Sequence, residues 1–364
     1  MKVGQLLSLE AGDLLSNDAL KILSQLRDQA YAMPTSQLRD VLKKNWGSNF
    51  MQLFKEFDPN PIAAASIGQV HKCVLKNNEI VAIKVQYPGV KNSIDSDIKN
   101  LGFLIKSTGI LPPKIDLYSL LEIAKSQLHE EVNYELEAKN LLKFSRLVKD
   151  EKFEIPFLYK NLCSTNILTM EYKPGIPINE IVNLSKHKKN QIFYKLMELL
   201  FNEIFDFGCI QTDPNYSNFL YDHKKNKIIL LDFGASQKIS PNVCSKFKNL
   251  LIGTWNNDHI KIKKFLFDLG ILHDTFPKKI ETIFLEFFYE VTYPIREKKV
   301  YNFDRTDIIK KIKYNFQEFI KFQNKLQIPS SDILFIQRKI GGLFFLGKFL
   351  KIEIDLNKIL KKYI

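Results

Sequence analysis

Asp213 and Asn218 stand five residues apart in Gln211-Thr212-Asp213-Pro214-Asn215-Tyr216-Ser217-Asn218, and Asp232 opens Asp232-Phe233-Gly234 directly after the apolar run Lys227 to Leu231. This stretch constrains the chain more than any other. Its three oxygen-bearing side chains come from a loop and from the end of a strand, and they have a common use only if the fold turns them to one point. Taken singly, Asp-Pro-Asn is a turn signature and Asp-Phe-Gly a tripeptide that arises by chance. In this order, with an apolar strand between them, a turn-only reading no longer accounts for the whole.

The order and spacing are those of a kinase-type catalytic loop followed by a metal-binding Asp. Magnesium prefers hard oxygen ligands and keeps several waters, so a carboxylate and an amide oxygen beside phosphate oxygens are enough to hold it. On that pattern Asp213 orients or deprotonates the attacking hydroxyl, while Asn218 and Asp232 hold Mg2+ against the phosphates of ATP.

At 364 residues and 45% hydrophobic content the chain can bury a large core and divide into two lobes. A net charge of +13 points to an anionic partner, a membrane surface or nucleic acid, although a general richness in Lys, Ile, Asn and Phe explains it equally well. No basic stretch interleaved with aromatics stands out, so no nucleic acid is expected. Cys73, Cys163, Cys209 and Cys244 are widely separated, which disfavours a zinc site and a disulfide framework. No apolar run reaches the length of about 20 residues that spans a bilayer. The chain opens inside a motif, which leads us to expect upstream sequence that includes a targeting segment.

Residues 1–57 read as a helical prefix. Leu20, Ile22, Leu23, Leu26 and Tyr31 give one apolar face, Leu38, Val41, Leu42 and Trp46 a second, and Met51 to Phe57 a third helix. After the turn Asp58-Pro59-Asn60-Pro61, residues 58–172 begin with a hairpin, Ile67 to Leu75 and Glu79 to Gln86. Its second strand ends in Val81-Ala82-Ile83-Lys84, the pattern in which the Lys binds α and β phosphates and pairs with a helix Glu. Before the hairpin, where a glycine-rich phosphate loop would stand, the chain has Ala63-Ala64-Ala65-Ser66-Ile67-Gly68-Gln69-Val70. Alanine lacks glycine's freedom at positive φ, and its methyl limits how closely backbone amides approach phosphate.

Helices are expected from Ser93 to Ser107 and from Leu117 to Val148, the second carrying Glu130, Glu131, Asn133, Glu135 and Glu137. Glu137 is the candidate partner of Lys84. A strand from Ile167 to Met170 leads into Glu171-Tyr172-Lys173-Pro174-Gly175, a hinge whose main chain would meet adenine. Residues 173–364 read as mainly helical, with helices at 179–207, 241–255, 258–270, 276–291, 303–325 and 331–350. No Ala-Pro-Glu follows Asp-Phe-Gly, so an ordinary activation segment and peptide platform are not evident.

Together these residues resemble the UbiB family of atypical kinases, and most closely its mitochondrial ADCK branch. Lys2-Val3-Gly4-Gln5 matches the K-x-G-Q signature, Ala63 to Gln69 the alanine-rich loop, and Gln211 to Phe219 the catalytic loop. The resemblance implies an α+β, two-lobed protein-kinase-like fold with a family-specific N-terminal helical extension, in which Lys2 and Gln5 lie over the cleft. Its E-x-D element falls on Glu131-Val132-Asn133, where Asn133 departs from the expected Asp and leaves Glu131 as the acidic partner of the signature. It further implies ATP and Mg2+ as cofactors and an ATPase activity that supports coenzyme Q biosynthesis. The partners so implied are coenzyme Q biosynthetic proteins and an anionic, cardiolipin-like lipid, at the matrix face of the mitochondrial inner membrane. A nucleotide-gated binding module and an ordinary protein kinase are the other readings. The alanine loop and the missing Ala-Pro-Glu count against the last.

Overall fold

In Ile80–Gln86 the residues Val81, Ile83 and Val85 are fully buried while Ala82 and Lys84 between them are only partly so. That period of two puts the apolar set on one face of a strand and Lys84 on the other. The computed structural model describes residues 32–64, 67–108, 117–213, 215–304 and 330–364. It divides into two units, one made of the described residues up to Pro174 together with Ile229–Ala235, the other of Gly175–Ile228 and Ser236–Ile364.

The first unit runs α1 (Thr35–Trp46), β1 (Phe54–Phe57), β2 (Ala63–Ala64), β3 (Gly68–Leu75), β4 (Ile80–Gln86), α2 (Val90–Thr108), α3 (Leu117–Glu131), α4 (Tyr134–Leu147), β5 (Phe153–Glu154) and β6 (Ile167–Glu171). Its antiparallel sheet has the order β1-β3-β4-β6, with β2 also pairing to β3. Asn78, at φ 64, makes the left-handed turn that closes the β3–β4 hairpin. Leu38 and Leu42 of α1 join Phe50, Phe54, Val81, Ile83 and Ile167 in one buried apolar cluster. Burying each contributes roughly 2–3 kcal/mol.

Two of the helices expected in this unit take other forms. Met51 to Phe57 is no helix: a 3-10 turn, Phe50–Leu53, leads into β1, because Phe54 finds its burial against β3. Aromatic residues at such a half-buried sheet position favour a strand. The single helix expected from Leu117 to Val148 is two, α3 and α4, broken at Val132-Asn133. There Asn133 accepts a hydrogen bond from the Leu136 amide, and this N-cap starts a new helix.

The second unit runs β7 (Ile176–Pro177), α5 (Lys186–Phe205), β8 (Cys209–Gln211), β9 (Phe219–Asp222), β10 (Lys227–Leu230, shared with the first unit), β11 (Ser236–Lys238), α6 (Pro241–Trp255), α7 (His259–Asp268), α8 (Lys278–Arg296), β12 (Tyr301–Asn302), α9 (Ser331–Phe349), β13 (Glu353–Ile354) and α10 (Leu356–Leu360). The helix expected over 179–207 is shorter, because a 3-10 turn occupies Ile178–Asn183 and Ser185 caps α5. Ile192, Phe193, Leu196, Leu199, Leu200 and Ile204 bury the core face of α5. Short ladders pair β8 with β11, β7 with β9 and β12 with β13. Among the described residues no helix is long and apolar enough to cross a membrane. Lys2, Gln5, Ala65, Ser66, the helix before Met33 and nearly all of that expected at 303–325 lie outside the described residues.

Candidate active site

Lys84, on the open face of β4, places its ammonium 2.8 Å and 3.1 Å from the two carboxylate oxygens of Glu137. The Asp232 Oδ2 atom lies 3.6 Å from the same nitrogen. Glu137 projects from the first turn of α4, where the helix dipole favours an anion, and is 1% exposed. Burial opposes the charge on Lys84, but Asp232 and Glu137 outweigh it and hold the group well above the usual lysine range. Burial pushes the Glu137 carboxyl up to about 7, Lys84 pulls it down, and Asp232 pushes it up again. One cation is therefore shared between two carboxylates, of which Asp232 is the more exposed.

Asp232 is fixed by its own turn, its Oδ1 accepting the Gly234 amide at 2.9 Å. A Cβ on Gly234 would come 3.3 Å from that Oδ1 and 3.8 Å from Glu137, so a side chain there would crowd both carboxylates. Two residues not anticipated from sequence complete this cluster. The Tyr134 ring lies 5.0 Å from the Lys84 ammonium, and burial holds its phenol far above the usual range. Asn140 donates to the Phe233 carbonyl at 2.9 Å, and the fully buried Phe233 ring packs on Phe144 at 5.0 Å. Their signal was the helical spacing from Glu137, since residues three and seven apart share a face.

Glu131 ends α3, and its charge adds to the upward push on Glu137 and Tyr134. Asn133 serves as a helix cap, a task that Asn and Asp perform about equally well. Ala63 and Ala64 form an exposed strand on Val70 and Gln69. At the expected hinge the Glu171 amide donates to Phe157 and the Tyr172 amide to Ile80, both within the first unit. Those two donors are thereby committed to the protein rather than to a nucleotide base.

In the second unit Asp213 organises its loop. Its Oδ1 accepts the Asn215 amide at 3.0 Å and its Oδ2 accepts the Asn218 side-chain amide at 2.9 Å. With its nitrogen so engaged, Asn218 keeps its amide oxygen for a cation. Each unit thus offers a hard oxygen ligand of the kind Mg2+ prefers on a partly exposed side chain, the Asp232 carboxylate in the first and the Asn218 amide oxygen in the second.

Comparison with known proteins bears on these features. The model of the ABC1 atypical kinase-like domain matches residues 25–266. The chain is 36% identical over 350 residues to the atypical kinase COQ8, mitochondrial, of Schizosaccharomyces pombe, covering 95% of this chain and 57% of that protein. It is 33% identical over 365 residues to the protein of the same name in Saccharomyces cerevisiae, covering 100% and 72%. The chain thus spans little more than half the length of the first relative. A solved structure, the complex of Rv3197 and erythromycin from Mycobacterium tuberculosis, has the same fold at a TM-score of 0.71 and 21% identity, over 100% of this chain and 91% of that one. This chain belongs to the family of ABC1 atypical kinase-like domains.

Proposed function

We propose that this chain is a Mg2+-dependent, ATP-binding atypical kinase or ATPase that supports coenzyme Q biosynthesis. The observation that carries it is the Lys84–Glu137–Asp232 cluster, an ammonium held between a buried carboxylate and a more exposed one. Lys84 binds phosphate oxygens, Glu137 fixes the ammonium, and Asp232 turns a carboxylate to the cation. Asp213 orients the acceptor, and Asn218 contributes its amide oxygen, as the kinase-type order of the sequence assigns them. Magnesium, when bound, spreads the charge that develops on the transferred phosphoryl group. The acceptor we favour is water or a small molecule, because no Ala-Pro-Glu platform for a protein follows Asp-Phe-Gly.

The biosynthetic role and the mitochondrial location are supported by the names of the relatives, while an anionic lipid at the matrix face of the inner membrane is what the family resemblance implies and what the net charge of +13 would suit. The test is ATP hydrolysis by purified protein with and without cardiolipin-containing liposomes. Turnover above that of Asp232→Asn is expected. Turnover equal to that variant's would sink the reading.

A further inference from the structure

Beneath the Asp213 loop lies an ion pair that stability alone does not explain. Lys339, in the middle of α9, places its ammonium on the Glu203 carboxylate of α5, and the two side chains are 9% and 0% exposed. Their surroundings are largely apolar, with Leu196, Leu199 and Leu343 beside Lys339. Replacing a buried ion pair by packed apolar residues is often neutral or stabilising, so such a pair is weak evidence of a stability role.

Its neighbours suggest another role. Burial pushes the Glu203 carboxyl up, while Lys339 and, less strongly, the Gln211 backbone pull it back. The Lys339 ammonium lies 5.7 Å from the centre of the Phe219 ring. Phe219 immediately follows the segment Thr212 to Asn218, so Lys339 meets the loop directly at that end. Thr212, Asp213 and Lys339 also line one cavity of about 10 Å³, close to the volume that one water needs. The bonds inside the loop, from Asn215 and Asn218 to Asp213, fix its shape but not its position in the unit. α9 lies beyond residue 266, where the match to the domain model ends.

We propose that Lys339, its ammonium fixed by Glu203, is a positioning residue that holds the Asp213 loop in place through Phe219 and through the cavity it shares with Thr212 and Asp213. The catalytic part of this inference rests on the function proposed above for Asp213. The structural part does not.

The experiment compares full-length wild type with Lys339→Met and with the double variant Glu203→Leu/Lys339→Met, which leaves no unpaired buried charge. Hydrogen exchange across residues 211–219 is read alongside kcat and KM for ATP. Both variants are expected to exchange roughly tenfold faster in that segment than wild type, with α5 unchanged. Turnover is expected to fall roughly 10- to 100-fold while KM for ATP changes little, because a displaced orienting group slows the chemistry without removing phosphate contacts. A double variant that exchanges and turns over like wild type overturns the proposal, as does a loss confined to KM. Should wild type itself show no turnover above Asp232→Asn, the proposed function fails, and the exchange measurement still decides the role of Lys339.

Discussion

The side-chain amide of Asn140 donates to the backbone carbonyl of Phe233 at 2.9 Å, one helical turn beyond Glu137. Glu137, Asn140 and Phe144 form one stripe of α4, so the helix that steadies Lys84 also grips the Asp-Phe-Gly turn. The positions of Lys84 and Asp232 are therefore coupled through a single rigid element.

Asn140→Ala is expected to destabilise the first unit by about 1 kcal/mol, the usual net worth of one internal hydrogen bond. Asn140→Asp should be worse than Ala, because it sets a carboxylate oxygen against a carbonyl oxygen with no proton between them. Denaturant melts at neutral pH give the order directly. An Asp variant as stable as Ala would mean that the hydrogen bond contributes nothing.

Glu137 gives a pH dependence of defined sign. Its carboxyl is raised to about 7 in the folded chain from an ordinary value of 4.5, chiefly by burial. Between those values the folded state keeps a proton that the unfolded state has released, so stability falls as pH rises through that window, by at most about 1.4 kcal/mol per pH unit. Glu137→Gln removes the titration. Its stability relative to wild type should improve from pH 5 to pH 7, and a parallel dependence in the two proteins would refute the assignment.

Much of this cluster was legible because motif order survives in sequence. Lys84 and Asp232 are each marked by a short pattern and Glu137 by its order in the chain alone, and the structure brings the three within one ion-pair network. What escaped was set by tertiary context. Phe54-Lys55-Glu56-Phe57 carries no strict alternation, and only pairing to β3 makes it a strand. The acidic run through Glu130 and Glu135 reads as one helix until Asn133 turns its side chain to cap a second. Lys339 has no local signal, since its partner Glu203 is 136 residues away.

A buried chain of hydrogen bonds in the first unit predicts the opposite pH behaviour. His71 Nδ1 lies 3.1 Å from the Asp58 carbonyl, which can only accept, so Nδ1 carries the proton. Nε2 then accepts from the Gln69 amide at 2.8 Å, and Gln69 Oε1 accepts from the Met33 amide at 2.8 Å. A second proton on the ring sets two donors face to face. Burial accordingly holds the imidazole below its ordinary 6.5, although Asp58 pulls it upward. As pH falls below about 6.5 the unfolded chain takes up a proton that the folded one refuses, and stability is lost. His71→Gln should be less stable than wild type at pH 8 yet lose less between pH 7 and pH 5. Equal losses would remove His71 from the account.

Ala64 tests the alanine-rich loop. It sits in β2 opposite Gln69, on an exposed strand that needs no positive φ. Glycine there gains nothing for the fold and should cost about 0.5–1 kcal/mol in backbone entropy. What glycine does offer is closer approach of the backbone to a phosphate, because the methyl no longer stands between them. If the segment faces nucleotide, Ala64→Gly should tighten or redistribute binding between ATP and ADP despite the small loss in stability. The two effects separate cleanly, since a melt reads the first and calorimetric titration with each nucleotide reads the second. A variant that is less stable but binds both nucleotides as wild type does would assign the alanines to strand pairing alone.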